Sequence, residues 1–166
     1  MTVPSPQESA MMAARRVVAA GVMALLGTAM AVAKPNFSGW WTLNVSRSEF
    51  GTVPKPTSHV EQVTHNEPSL KVRTTQVGEM GEFTTDYSYT TDGTECLNKF
   101  RGIDRRSTAR WDGDSLVIES RMDIEGNPLT VTERWTLSQD GKILSIHRHI
   151  KGPEGETDVK TILEKE

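Results

Sequence analysis

An alternation of residue character with a period of two is the feature that most constrains how this chain folds. The segments 83–89, 129–137 and 144–150 place mostly apolar or aromatic residues at every second position, with mostly polar residues between them. Side chains two positions apart lie on the same face of a strand, so this pattern is typical of strands with one buried face. Since no stretch after residue 34 has the 3.6-residue period of an amphipathic helix, the sequence predicts an all-β domain.

Turn residues divide the alternating segments from one another. Asp-Gly pairs stand at 92–93, 112–113 and 140–141, and this dipeptide accepts the positive φ angles of a tight hairpin. About ten strands are expected, over 38–44, 59–65, 69–77, 82–91, 94–100, 105–111, 115–122, 128–138, 142–150 and 156–164. The connection 45–58 carries two prolines and is expected to lack regular structure. Because closure removes both edges of a long meander, we predict an antiparallel up-and-down barrel, with an open sandwich as the alternative.

The three tight turns also predict which residues face each other across neighbouring strands. The expected opposed pairs are Glu133 with Arg148, Arg106 with Glu119, Tyr89 with Cys96, Tyr87 with Asn98, and Asp86 with Lys99. On this register the basic stretch from Lys99 to Arg110 is interpreted as a solvated face whose charges have partners. Cys96 is interpreted as a small buried residue.

Composition excludes several classes of function. The chain has 166 residues, 22 acidic against 19 basic residues, and a single Cys. One Cys excludes a disulfide framework and a Cys-rich zinc module, and the acidic balance argues against nucleic acid as a partner. His147 and His149 project to one strand face, but without a third ligand they are interpreted as an exposed pair, so no metal and no cofactor is predicted.

The sequence lacks the common signatures of catalysis. We find no G-x-S-x-G, no H-E-x-x-H and no phosphate-binding Gly loop. Binding is therefore favoured over catalysis. An enzyme built inside the barrel stays an alternative, and it would need a polar cluster with a perturbed acid or base.

The first 33 residues resemble an export signal. Arg15 and Arg16 precede an uncharged run, Val17 to Met30, which Ala31-Val32-Ala33 follows. A basic region, a short apolar region and a small-x-small end predict a cleaved secretory signal over 1–33. The apolar run is at the lower limit for a membrane span, so no stable membrane insertion is expected after cleavage. The mature domain would be 34–166, periplasmic or secreted.

Several short motifs, in their order along the chain, resemble the calycins, the superfamily of lipocalins and fatty-acid-binding proteins. Gly39 and Trp41 form the Gly-x-Trp of the first strand. The segment 106–117 is similar to the central hairpin of the fatty-acid-binding group. The segments 132–144 and 163–165 are similar to its late strands. The chain is thereby identified as resembling a small bacterial exported lipocalin-like protein.

The resemblance implies a cup-shaped barrel that holds a small apolar or amphipathic ligand. It further implies that Gly39 and Trp41 belong to the base of the barrel, where Trp41 packs against a basic residue of the last strand. Lys165 is the candidate for that residue. The sequence between the first two strands is too short for the two-helix lid of the fatty-acid-binding group, so a barrel without a helical lid is expected.

Five residues are the candidates for ligand contact: Arg148, Glu133, Trp135, Tyr87 and Tyr89. Glu133 and Arg148 lie on the more apolar face of their strands, and an arginine there would hold an anionic head group, because a guanidinium fits a carboxylate. The alternative is a self-neutralised ion pair on an outer face. Tyr87 and Tyr89 would line the pocket or, alternatively, pack in the core.

Two functional hypotheses follow. The first is an exported protein that binds a small hydrophobic or amphipathic, possibly anionic, ligand inside the barrel. The alternative is a protein–protein or cell-envelope interaction module with a solidly packed barrel. Trp40 faces away from Trp41, so an exposed Trp40 would indicate a contact patch on the outer surface.

Overall fold

The computed structural model describes residues 33–79 and 81–166. This part of the chain forms β-strands and a single short 3-10 helix, Val45–Arg47. The strands are β1 (Gly39–Leu43), β2 (Ser58–Asn66), β3 (Ser69–Gly78), β4 (Gly81–Thr90), β5 (Cys96–Phe100), β6 (Ile103–Asp112), β7 (Ser115–Ile124), β8 (Asn127–Leu137), β9 (Ile143–Gly152) and β10 (Gly155–Lys165). All ten predicted strands are present, and no end differs from its prediction by more than two residues. Nearly all of the predicted signal, 1–33, lies outside the described residues.

The strands form one antiparallel sheet that curves into a nearly closed barrel. Its order is β4-β3-β2-β1-β10-β9-β8-β7-β6-β5, so the first strand lies between the second and the last. Hydrogen bonds from β1 to both β2 and β10 join the first strand to the last. The predicted all-β barrel without a helical lid is confirmed.

The seam of the barrel lies between β4 and β5, which are consecutive in sequence but share no backbone ladder in the described part of the chain. The Asn98 side chain forms two hydrogen bonds across this seam. The Ser88 N–H donates to Asn98 Oδ1 (2.8 Å), and Asn98 Nδ2 donates to the Ser88 carbonyl (3.0 Å). The amide of Asn98 thus stands in for a peptide group of the missing ladder.

The predicted pairing of β4 with β5 is therefore wrong. The loop after β4 turns toward β6 instead, where Asp92 pairs with Arg110 and the Gly93 N–H donates to the Ala109 carbonyl (2.9 Å). The residues of β4 pair only with β3. There Tyr87 lies opposite Val72.

The other two hairpins differ in how well the turn predicted the register. Glu133 lies opposite Arg148, as predicted. The register predicted from a turn at 112–113 is wrong by two residues, because β6 continues through Asp112, which pairs with Ser115. The loop is therefore 113–114, and the position opposite Glu119 is occupied by Thr108.

The base of the barrel is covered by the segment that precedes β1. Lys34 Nζ donates to the Gly113 carbonyl (2.9 Å), and the Phe37 ring lies fully buried beneath the strands. The core above it contains large apolar side chains from most strands: Trp41, Leu43, Val63, Leu70, Val72, Leu116, Ile118, Trp135, Leu144, Ile146 and Leu163. This end of the barrel is therefore filled.

The connection between β1 and β2 is more regular than expected. After the 3-10 helix, Glu49 forms an antiparallel bridge with Lys160 of β10, with N–H to carbonyl distances of 2.8 and 2.7 Å. This bridge directs the chain along β10. Val53 then lies at the open end, where it lines the barrel interior.

Candidate ligand-binding cavity

A cavity of about 270 Å³ lies inside the barrel on the side away from the base. This volume is close to the lower end of the roughly 300–1,000 Å³ range of small-molecule sites. Its apolar wall is formed by Val53, Val72, Phe83, Phe100, Met122, Leu129, Val131, Trp135 and Ile150. The polar and charged lining residues include His59, Glu61, Gln76, Tyr87, Tyr89, Arg105, Glu133 and Arg148. The cavity thus offers an apolar wall and a compact charged region.

Glu133 is the centre of that charged region. Its Oε1 accepts from Arg148 Nε (2.9 Å) and contacts Arg105 Nη2 (3.5 Å), while Oε2 accepts from Trp135 Nε1 (3.2 Å). Burial opposes the charge of this carboxylate, but the two guanidinium groups and the hydrogen bonds from Arg148 and Trp135 lower its pKa to about 2. Glu133 is therefore a fixed anion at neutral pH and a poor general acid.

Arg105 is the most unusual of the lining residues, because only 6% of it is exposed. Its guanidinium carbon lies 4.6 Å from the centre of the Tyr87 ring. Burial opposes its charge, but the nearby Glu133 carboxylate raises the pKa of Arg105, so the side chain stays positive. Its Nε atom is buried and has no hydrogen-bond partner within residues 33–79 and 81–166. Burial raises the pKa of the adjacent Tyr89, which keeps its hydroxyl neutral.

A second polar pair enters the cavity from β2. His59 Nε2 lies 3.0 Å from Glu61 Oε1, and His59 Nδ1 lies 3.2 Å from Gln76 Oε1. Both residues of the pair are buried, with exposures of 8% for His59 and 3% for Glu61. The second oxygen, Glu61 Oε2, is buried without a partner in the described structure.

All five residues that the sequence proposed for ligand contact, Tyr87, Tyr89, Glu133, Trp135 and Arg148, line this one cavity. Glu133 and Arg148 are therefore inside the barrel, not on its outer face. The tyrosine rings lie side by side, with centroids 6.1 Å apart. Their contact with a ligand stays a prediction.

Three ionisable lining residues were not identified from the sequence. Arg105 was assigned to a solvated basic face, and His59 and Glu61 were given no role. Strand alternation could have found all three. Arg105 shares a face of β6 with buried Ala109, and the β2 residues share one with buried Val63.

The residues of the calycin signature meet at the base. Trp41 and Lys165 lie opposite each other, and Lys165 Nζ lies 5.2 Å from the centre of the Trp41 ring. Gly39 has a φ of 145°, and a Cβ there would lie 2.6 Å from Lys165 Cε. The glycine therefore leaves room for the lysine to cover the tryptophan.

A second His–Glu pair lies beneath the core at the base. The Phe37 N–H donates to His65 Nδ1 (3.2 Å), which assigns the ring proton to Nε2, 3.0 Å from Glu67 Oε1. Trp111 Nε1 also donates to Glu67 Oε1 (2.8 Å), and the Thr91 hydroxyl donates to Oε2. Partial burial opposes the charge, but these hydrogen bonds hold the pKa of Glu67 below its ordinary value.

The outer surface carries the remaining residues of interest. Trp40 is 50% exposed, and His147 and His149 are both exposed. His149 contacts Asp158 (2.8 Å) and Glu156 (3.4 Å). Within the described residues no group of three His, Cys, Asp or Glu side chains is placed to hold a metal ion. Cys96 is half-buried, not fully buried as expected.

Similarity to known proteins lies in the fold. No family model matches the chain, and no curated protein matches its sequence. Zebrafish ileal bile acid-binding protein, solved with cholic acid, is 14% identical with a TM-score of 0.56, over 78% of this chain and 98% of its own.

Two further solved structures are similar. A secretory abundant heat soluble protein from Ramazzottius varieornatus is 11% identical with a TM-score of 0.57, over 81% of this chain and 98% of its own. A mutant of the REP1-NXSQ fatty acid transporter is 15% identical with a TM-score of 0.50, over 78% of this chain and 97% of its own. The chain therefore shares the β-barrel fold of these proteins, which confirms the predicted resemblance at the level of the fold. Among the described residues, no helix has the length and apolar character needed to cross a membrane.

Proposed function

We propose that this chain is a binding protein that holds one small amphipathic ligand inside its barrel. The single observation that carries the proposal is Arg105, a buried guanidinium at the cavity wall whose Nε has no partner in the described structure. Leaving a buried donor unpaired costs about 1–3 kcal/mol. A ligand acceptor at that position removes this cost.

The pairing of Arg105 favours an anionic head group. Arg105 and Arg148 share one carboxylate, Glu133, and the Arg105 contact is the longer one, 3.5 Å against 2.9 Å, so the Arg105 guanidinium is only weakly paired within the cavity. A guanidinium presents a planar set of donors that fits a carboxylate. The apolar wall would take the body of the ligand, at about 25 cal/mol for each Å² of apolar surface removed from water.

The neighbouring folds support the same proposal. Two of the similar structures are named for a bile acid and for fatty acid transport, and both classes of molecule combine an apolar body with a carboxylate. The interaction-module hypothesis requires a solidly packed interior, which the cavity does not provide. Its one favourable observation is the exposed Trp40.

We also propose that the protein is exported and acts in the periplasm or outside the cell as a single domain, 34–166. The support is the sequence of residues 15–33, a basic pair, an uncharged run and a small-x-small end. Mass spectrometry of the protein from its native source tests this. An intact leader on protein found in the cytoplasm would contradict it.

A titration with an environment-sensitive fluorescent fatty acid tests the binding function. We expect saturable binding at micromolar concentration, weakened at least about tenfold by Arg105→Met, since the head group loses a charged partner. Arg73→Met is the matched control, because Arg73 pairs with Asp86 on the exposed surface at 2.7 Å. It should leave the affinity unchanged.

Two results would count against the proposal. Folded protein that shows no saturable binding would exclude the ligand-filled barrel. Equal affinity of the Arg105→Met and Arg73→Met variants would remove Arg105 from the site.

A further inference from the structure

Glu61 has one carboxylate oxygen that nothing in the described structure satisfies. Its Oε1 lies 3.0 Å from His59 Nε2, whereas Oε2 is buried and has no partner. The side chain is only 4% exposed and lines the cavity. An ionised carboxylate only accepts hydrogen bonds. The group that complements Glu61 Oε2 is therefore a hydrogen-bond donor.

Glu61 and Arg105 lack opposite kinds of hydrogen-bond partner in the same cavity. Arg105 Nε is a buried donor that needs an acceptor, and Glu61 Oε2 is a buried acceptor that needs a donor. They reach the cavity from different strands, β6 and β2. A simple carboxylate ligand satisfies Arg105 and leaves Glu61 unpaired.

We propose that the ligand is a hydroxylated amphiphile, whose acidic head binds Arg105 and whose separate hydroxyl group donates to Glu61 Oε2. This inference rests on the proposed function and names the class of its ligand. A hydroxyl fits better than an ammonium group, because His59 already provides a nitrogen contact to Glu61. A neutral donor also loses less hydration on entering a buried site.

The proposal makes Glu61 the residue that selects between ligands. A ligand without the hydroxyl would enter the cavity and leave Glu61 Oε2 unpaired, whereas a hydroxylated ligand would supply the missing donor. A penalty of about 1–3 kcal/mol for such a group corresponds to a preference of roughly 5- to 150-fold for the hydroxylated ligand.

Matched ligands test this directly. Dodecanoic acid and its 2-hydroxy, 3-hydroxy and 12-hydroxy derivatives are compared by displacement of the fluorescent fatty acid from the wild-type protein. We expect at least one hydroxylated acid to bind about tenfold or more tightly than dodecanoic acid. If every hydroxylated acid binds no better than dodecanoic acid, the inference fails while the proposed function stands. If none of the four acids binds, both fail.

Variants of β2 then assign the preference to one residue. Glu61→Leu should reduce the preference to within about twofold, because dodecanoic acid no longer leaves an unpaired acceptor. Gln62→Leu is the matched control, since Gln62 lies next to Glu61 on the same strand and is not part of the cavity wall. It should keep the wild-type preference.

A conservative variant covers the case in which Glu61→Leu does not fold. Glu61→Gln keeps the shape of the side chain and replaces a charged acceptor by a neutral one, so the preference should fall several-fold. An undiminished preference in either folded Glu61 variant would overturn the proposal.

Discussion

Two histidine–glutamate pairs with the same spacing lie along β2 and the turn that follows it, and they have opposite surroundings. His65–Glu67 is at the base of the barrel and His59–Glu61 is at the cavity, and in each pair Nε2 lies 3.0 Å from Oε1. The local sequence and geometry of the two pairs are thus nearly the same. The difference lies in what else contacts each carboxylate.

At the base, both carboxylate oxygens of Glu67 have hydrogen-bond partners. Glu67 receives hydrogen bonds from Trp111, Thr91 and His65, and His65 in turn accepts from the Phe37 N–H. At the cavity, Glu61 Oε2 has no partner in the described structure. A buried histidine–glutamate pair is therefore a structural element where its hydrogen-bond network is complete. Where one acceptor has no partner, the pair indicates a binding site.

The base should be the part of the barrel that least tolerates truncation. Trp41 is fully buried, and its Nε1 donates to the Phe37 carbonyl (2.8 Å). We expect Trp41→Ala to lower the free energy of unfolding by about 4 kcal/mol, because it leaves a large void. Urea unfolding measures this. Trp40→Ala, at the half-exposed neighbour, is the control and should cost less than about 1 kcal/mol.

Low pH should lower the free energy of unfolding, because it protonates Glu133 on the cavity side of the barrel. Its pKa falls from an ordinary 4.5 to about 2 in the folded protein, so its contribution to stability is complete above about pH 4.5. That contribution is lost as the pH falls toward 2, on the order of 3 kcal/mol in total. Urea unfolding at pH 7, 5 and 3 should show this loss. Glu133→Gln should be less stable at pH 7 and flatter between pH 5 and 3, and an unchanged slope would contradict the assignment.

Removing Glu61 and removing Glu67 should have unequal effects on stability. Glu67→Leu leaves the donors of Trp111, Thr91 and His65 without an acceptor, and since this end is partly exposed we expect a loss of about 1–2 kcal/mol. Glu61→Leu removes a buried, half-satisfied charge, so the unfolding free energy should stay within about 1 kcal/mol of wild type. Thermal and urea unfolding of both variants measure the difference. A larger loss for Glu61→Leu would reverse the comparison.

The seam beside the cavity should give the smallest effect. Asn98→Ala removes the two hydrogen bonds between Asn98 and Ser88, and we expect a loss of about 1 kcal/mol together with faster amide exchange at Ser88. Asn98→Asp keeps the acceptor for the Ser88 N–H and loses the donor to its carbonyl. Its Ser88 exchange rate should therefore lie between those of wild type and Asn98→Ala, and equal rates in all three would show that the side chain does not hold the seam.

The sequence predicted the fold well because alternation and turns are local signals. The strand pattern and the 140–141 turn placed Glu133 opposite Arg148, as the structure has it. The seam between β4 and β5 could not be predicted, since an Asp-Gly turn indicates a hairpin whether or not the flanking strands pair. The outcome there depends on Asp92 and Gly93 pairing with β6, which is a long-range contact.

The site was only partly predictable. Glu133 and Arg148 were found because they interrupt an apolar face, whereas Arg105 was read as one member of a basic stretch. A run of like residues suggests a common surface, but alternation sends every second side chain inward, so Arg105 is buried while Arg106 contacts Glu95 outside. Which buried atoms stay unpaired depends on distances that a sequence does not contain.

The tryptophan indole N–H signals in a ¹H–¹⁵N NMR titration with 3-hydroxydodecanoic acid test the central claim most directly. Trp135 lines the cavity and donates to Glu133, Trp41 and Trp111 belong to the base, and Trp40 is exposed on the outer surface. We predict a saturable shift of the Trp135 signal, with the other three unchanged. A shift of Trp40 alone, or of the base signals without Trp135, would contradict a ligand held in the cavity.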